Sequence, residues 1–431
     1  MSSASAQAAD EMNAIAERYV RLVLALGQHD PDYVDAFYGP PEWKTQAEKE
    51  KKSLEAIGAE AAELSATLAK IPDAAMSGDA MLKLRHEYLQ KQISALAARI
   101  RMLKGEKLKF DDESRVLYDA VAPTFPDSHF DQIIAQLEKK IPGTNRQSGS
   151  GPSRTGTPLW QRYEKWRKPF LIPKEKLDKV FQLAIKECRA RTVAHVALPP
   201  NESFTVEYVT NKPWGGYNWY QGNFHSVIQV NTDLPSYIDR AVDLAAHEGY
   251  PGHHVYNSLL EKNLLQDRGW VEFSVYALFS PQSLIAEGTA NFGREVAFPT
   301  KADRMKFEKE VLFPVAGIDA SRADEYYAVL DLMKQLDYAT NEAARRLING
   351  EIDEKAAVQW LQKYAVMDPA RAEKRVKFIQ RYRSYVINYN LGEDLVRRYI
   401  EKRSGNDPEK RWSEFAKLLS SPRLPSGLEE K

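Results

Sequence analysis

Ser236-Tyr237-Ile238-Asp239-Arg240-Ala241-Val242-Asp243-Leu244-Ala245-Ala246-His247-Glu248-Gly249-Tyr250-Pro251-Gly252-His253-His254 is the stretch on which the reading of this chain turns. Ser236, following Pro235, carries the hydroxyl an N-cap needs, and the residues after it lead as a helix into His247-Glu248. A His-Glu pair on a helix is half of a known zinc arrangement, in which histidines at i and i+4 hold the metal and the glutamate after the first activates water. Here i+4 is Pro251, which cannot be a ligand, so His253 or His254 has to take that place. On an unbroken helix His253 lies about 9 Å along the axis from His247 and His254 about 10.5 Å, both too long for two imidazoles on one ion. Pro251 has no N–H for the His247 carbonyl and crowds it, while Gly252 tolerates unusual dihedrals, so a kink or bulge is expected here. A bulge restores the phase of His253 over a shortened turn. His254 is nearly in phase already but needs more axial compression, which leaves it as the alternative ligand.

A third ligand is needed, with one coordination position left for water. Glu287 is the natural candidate, opening Glu287-Gly288-Thr289-Ala290-Asn291-Phe292-Gly293-Arg294-Glu295. One turn on, Asn291 is placed to accept a hydrogen bond from a ligand histidine and fix its tautomer. Glu295 competes with Glu287 but at i+8 is too far along a helix to share its ion. His225 reads either as a further ligand or substrate contact or, beside aromatics on a strand, as a packed or edge residue. The chain has eight histidines in all, so three within eight positions beside a glutamate and a Pro-Gly break are poorly explained as packing.

Working outward, Phe204 to Val209, Tyr217 to Tyr220 and Ser226 to Asn231 are alternating, β-branched and aromatic, and are separated by Trp214-Gly215-Gly216 and Gln221-Gly222-Asn223. They predict a small sheet just before the motif helix. Residues 9 to 27 carry apolar positions at helical spacing, and 43 to 104 reads as an antiparallel helical hairpin. A further helix is expected around 174 to 192. From 236 to the end the period is helical, with stops at Pro281, Pro299 and Pro314 and a cap at Gly392. The stretch 142 to 158, dense in Gly, Ser, Thr and Pro, reads as a linker or a substrate-covering loop. The expected organisation is an N-terminal helical lobe at 1–141, that connection, and a metal-binding catalytic lobe at 159–431, folded as one continuous unit. The class is mainly α, a large two-lobed helical fold of metallopeptidase type.

Lys plus Arg and Asp plus Glu each number 60 among 431 residues, so the formal net charge is zero. That balance points away from nucleic acid and membrane surfaces and toward a peptide or small-molecule partner. The single Cys188 excludes an internal disulfide and a thiolate metal cluster, leaving His and carboxylates as ligands. No run of about 18 apolar residues occurs, and the polar Met1-Ser2-Ser3-Ala4-Ser5-Ala6-Gln7 does not read as a signal peptide, so a cytoplasmic protein is expected.

The motif resembles the bacterial family catalogued as domain of unknown function 885, whose signature is His-Glu-x-x-Pro-Gly-His-His followed by Glu-Gly-x-Ala. His247 to His254 matches the first part and Glu287-Gly288-Thr289-Ala290 the second. His29-Asp30-Pro31-Asp32-Tyr33-Val34-Asp35-Ala36-Phe37-Tyr38-Gly39-Pro40 also looks like relatives. The resemblance implies a helical, gluzincin-like zinc peptidase with a deep internal groove, with His247, His253 and Glu287 as ligands and Glu248 as general base. This chain departs from the pattern at Thr289, where relatives usually have Trp, and at Arg294, which is often acidic. Near the C-terminus relatives carry Ser-Tyr-x-x-Gly. Asn388-Tyr389-Asn390-Leu391-Gly392 keeps the tyrosine and glycine but not the serine, making Tyr389 the candidate donor to a developing oxyanion.

The expected function is therefore zinc-dependent hydrolysis of short peptides, carboxypeptidase- or dipeptidase-like, with Glu248 as base and Tyr389 as oxyanion donor. Arg381 and Arg383, a turn or two before Tyr389, are candidate clamps for a substrate carboxylate. Two rival readings stand beside it. One is a metal-dependent amidase or other C–N or ester hydrolase on a small non-peptide substrate. The other is a non-catalytic helical binding protein carrying a remnant motif.

Overall fold

The computed structural model describes residues 3–143, 156–212 and 214–429. The expected helix at 9 to 27 runs from Ser3 to Leu26, and its apolar spacing buries Met12, Ile15, Ala16, Tyr19, Val20 and Val23. Burying each larger member of that stripe contributes roughly 1.5–3 kcal/mol. The segment 43 to 104 is not one hairpin. It divides into Pro41–Glu50, Leu54–Leu68 and Ala80–Leu103, because Ser53 and Asp79 cap new helices by accepting from Ala56 N at 3.2 Å and from Met81 N at 2.9 Å.

Helix makes up 68% of the chain and strand 7%, so the expected mainly α class holds. Three strands fall where the alternation puts them. Strand β2 (Ser203–Val209) runs parallel to β4 (His225–Asn231), and β3 (Gly216–Gly222) pairs antiparallel with the other edge of β4. A second sheet was not expected. In it β1 (Val34–Phe37) pairs antiparallel with β5 (Val275–Ala277), two segments too short to show a period of their own.

That pairing stitches the N-terminal helices to the motif region. Fully buried Arg85 adds a second stitch, its Nε and Nη2 donating to Glu272 at 2.6 and 3.0 Å. Removing either partner leaves an uncompensated buried charge, at a cost of about 3–5 kcal/mol. One hydrophobic core runs from Ala8 to Leu428, shared by the first 141 residues and by 159–431. Most of the expected connection at 142 to 158, namely residues 144–155, lies outside the described residues.

Three punctuation marks in the sequence are read differently by the fold. Ser236 is not a cap: its carbonyl accepts from Ile172 N at 2.9 Å and Tyr237 bridges Leu171, so the helix starts only at Asp239. Pro281 opens the Pro281–Ala297 helix instead of stopping one, as its fixed φ suits a first turn. Gly392 lies inside the Ile387–Ser404 helix, where it meets Gly288 backbone to backbone. A Cβ added at Gly288 would lie 2.4 Å from the Gly392 carbonyl, so only two glycines let these helices approach so closely. We predict that Gly288→Ala costs about 3 kcal/mol in denaturant unfolding, at the upper end of overpacking penalties. A loss below about 0.5 kcal/mol would mean the helices are not in such contact.

Candidate metal centre

The Asp239–Leu244 helix passes into a π-helical turn, Ala245–Gly249, which carries His247 and Glu248. Tyr250 N bonds the Ala245 carbonyl at 3.0 Å and Gly252 N bonds that of Ala246 at 2.9 Å, so the ladder widens where Pro251 has no proton to give. Tyr250 is extended, the Tyr250–Pro251 peptide is cis, and a new helix begins at His253. Gly252 folds back over the turn so closely that a Cβ there would lie 2.0 Å from the His247 carbonyl oxygen. The break collapses the long axial separation of an unbroken helix: His253 Nε2 lies 3.1 Å from His247 Nε2, with the rings nearly perpendicular.

Glu287, on the Pro281–Ala297 helix, completes the group. Its Oε2 lies 3.4 Å from His247 Nε2 and 3.7 Å from His253 Nε2, and among the described residues it has no hydrogen-bond partner although it is buried. Three ligands 2.0–2.2 Å from a tetrahedral zinc would stand roughly 3.3 Å apart, close to the three separations found. Asn291 donates its Nδ2 to the Tyr389 carbonyl at 2.8 Å, which turns its Oδ1 toward His247 Nδ1 at 2.9 Å. In the neutral ring the Nδ1 proton is thereby fixed, which leaves the lone pair on Nε2, facing the cluster. Two imidazole nitrogens and an orphaned buried carboxylate oxygen converge on one point, and this donor set fits a divalent metal ion. The His247 and His253 side chains keep 19% and 14% of their surface accessible, so the group is open on one side, as a catalytic site requires.

Electrostatics agree with that reading. Burial opposes charge on His247, but the neighbouring Glu248 and Glu287 carboxylates outweigh it and push its pKa up to about 9. Burial likewise opposes charge on Glu287, yet the two facing imidazoles hold it well below the usual carboxylate range. A proton and a divalent ion would compete for the same ring nitrogen, so metal binding at this group would be favoured as pH rises.

Glu248 is 5% exposed and lies against β3, where Asn218 Nδ2 donates to its carbonyl at 2.7 Å. A Cβ at Gly216 would stand 3.0 Å from Glu248 Oε1, so Gly216 leaves room for the carboxylate. Among the described residues that carboxylate has no hydrogen-bond or ion-pair partner. The Tyr389 hydroxyl also has no hydrogen-bond partner there. Burial foremost, then the charges of Glu287 and Glu248, keeps its phenol protonated well above the ordinary range.

Other expected residues sit elsewhere. His254 is fully buried, with Nδ1 at 2.9 Å from Ser226 Oγ and Nε2 at 2.9 Å from Glu202, so neither nitrogen is left for a metal. Arg381 is not free to clamp a substrate, because it makes a bidentate pair with Asp32 at 2.7 and 2.6 Å. Arg383 is likewise taken by Glu113 and the Leu108 carbonyl. His225 bonds Ser203 Oγ, and Glu295 pairs with Arg397. Sequence reasoning missed Tyr385, whose hydroxyl donates to Glu287 Oε1 at 2.8 Å and orients that carboxylate. Its position one turn before Tyr389 was the available signal. Glu202 was also missed. It anchors Tyr250 and His254 on either side of the Pro-Gly break, and nothing in its sequence context marks it.

No family model matches the chain, and no curated protein matches it. Solved structures do match, two of them as follows. A protein from Colwellia psychrerythraea, provisionally named a lipoprotein, superposes with a TM-score of 0.52 at 13% identity, covering 91% of this chain and 69% of that one. A protein of unknown function from Shewanella oneidensis, also provisionally named a lipoprotein, gives a TM-score of 0.47 at 12% identity, covering 91% and 78%. The first likeness shows a shared fold.

Proposed function

We propose that the chain is a zinc-dependent hydrolase of the metallopeptidase type that cleaves short peptides. The observation that carries the reading is the convergence of His247 Nε2, His253 Nε2 and Glu287 Oε2 at separations of 3.1, 3.4 and 3.7 Å, with one side open. Zinc held there would supply a Lewis acid that acidifies water and polarises an acyl oxygen. Glu248, without a partner among the described residues and adjacent in sequence to His247, takes the proton from the attacking water and returns it to the leaving amine. Tyr389 donates its phenolic proton in a hydrogen bond to the oxygen that gains charge at the acyl carbon. Asn291 and Tyr385 hold His247 and Glu287 in place, and β3 keeps bulk away from Glu248. The resemblance to domain of unknown function 885 and a cytoplasmic location belong to the same proposal.

The test is a panel of di- to pentapeptides, with free and blocked ends, and small amides, incubated with protein whose zinc content has been measured. Zinc-dependent peptide cleavage, lost on chelation and restored by added zinc, is expected. Cleavage of amides but of no peptide by stoichiometrically loaded protein would overturn the peptidase assignment.

A further inference from the structure

Many charged residues around the cluster are paired, and, Glu248 aside, two charges, Arg375 and Asp35, have no charged partner among the described residues. On the Pro369–Tyr382 helix, Arg371 pairs with Glu164 at 3.1 Å and Arg381 with Asp32. Half-buried Arg375, on the same helix, has neither hydrogen bond nor ion pair among the described residues. Its guanidinium lies over the Phe378 ring at 5.2 Å, and Phe378 begins an aromatic row: Tyr382 at 4.7 Å, then Tyr385 at 6.1 Å, then Tyr389 at 5.8 Å. The row ends at the site, since Tyr385 holds Glu287. Asp337, an acid close enough to act on Arg375, is already held by Lys334 at 2.9 Å.

The second charge is Asp35 on β1. Its neighbours Asp30 and Asp32 each pair with an arginine, at 2.7 and 2.6 Å. Among the described residues, half-buried Asp35 has only a phenol as partner, the Tyr217 hydroxyl, which donates to Oδ1 at 3.0 Å. Tyr217 follows Gly216, which abuts Glu248, and Asp35 is close enough to interact electrostatically with His253, Glu287 and Glu248. Burial pushes the Asp35 carboxyl up to about 6 and holds the Arg375 guanidinium below its ordinary value. Each charge is thus held half-buried at a cost that a ligand of opposite sign relieves.

Resting on the peptidase reading, we propose that the substrate is a short zwitterionic peptide, its free α-carboxylate bound by Arg375 beyond the Tyr385–Tyr389 pair and its free α-ammonium bound by Asp35 beyond Tyr217. A planar guanidinium suits a carboxylate through two parallel hydrogen bonds, and a carboxylate with one phenol partner keeps acceptor sites for an ammonium. Recognition of both ends selects di- and tripeptides over internal segments of long chains.

The test uses metal-free protein, so that binding is read without turnover. Ala-Ala, its C-terminal amide and its N-acetyl form are titrated calorimetrically into the wild type, Arg375→Ala, Arg375→Lys and Asp35→Asn. Wild type should bind Ala-Ala at least 10-fold more tightly than either blocked form. Arg375→Ala should lose the preference for free acid over amide and keep that for free amine; Asp35→Asn should do the reverse; and Arg375→Lys should recover part of the first. Zinc stoichiometry of each variant checks that the fold survives. Equal affinities, no measurable binding, or preferences unchanged in the variants would overturn the proposal. Zinc-loaded protein that cleaves end-blocked peptides as fast as free ones would also overturn it and leave the hydrolase standing. Failure of the hydrolase reading would appear instead as absence of turnover with the calorimetric preferences intact.

Discussion

Glu248→Gln should bind zinc as tightly as the wild type and lose turnover by about 10³-fold or more. The amide occupies almost the same volume, and the space beside Gly216 and the Asn218 bond to the residue 248 carbonyl do not depend on side-chain charge. What is lost is a group able to take a proton, whose contribution is typically 10²–10⁴-fold. Steady-state kinetics on the best peptide, with zinc measured on the same samples, checks it. A variant retaining more than a tenth of wild-type kcat would remove Glu248 as the base, whereas one that also lost zinc would mean the carboxylate serves the metal.

Glu287→Ala and His247→Ala should each lower zinc affinity by well over 100-fold and abolish activity with it. Losing an outer partner of a ligand typically costs 10–100-fold, and losing a ligand has to exceed that. Tyr385→Phe and Asn291→Ala belong to the smaller class, since they remove the hydrogen bonds at 2.8 and 2.9 Å that orient Glu287 and His247. His254→Ala should keep zinc affinity within the range of those outer partners, because both its nitrogens serve Ser226 and Glu202. Competitive titration against a chromophoric chelator ranks the five. If His254→Ala lost zinc as severely as His247→Ala, the ligand set would be wrong.

The approach of His253 to His247 was legible because its logic is local. A proline at the position where a helix would place its second ligand forces the chain to depart from helix, and the only histidines available follow at once. The form of the departure was not legible. A π turn, an extended Tyr250 and a fresh helix at His253 depend on Glu202, which holds Tyr250 and His254 from 48 and 52 residues away. Gly392 illustrates the same limit, since a glycine that stops a helix and one that lets two helices touch look alike until the partner glycine is known. Arg381 and Arg383 were chosen for their spacing from Tyr389, but spacing does not reveal that Asp32 and Glu113 already hold them. Arg375, with the same chemistry and no carboxylate partner among the described residues, carried no sequence signal at all. The sheet of β1 and β5, paired across some 240 residues, is invisible to any local period.

Crystals soaked in zinc and recorded at the zinc absorption edge provide the most direct measurement. An anomalous peak about 2.0–2.2 Å from His247 Nε2, His253 Nε2 and a Glu287 carboxylate oxygen, at full occupancy, is the predicted result. No peak there, or a peak between His254 and Glu202 instead, would contradict it.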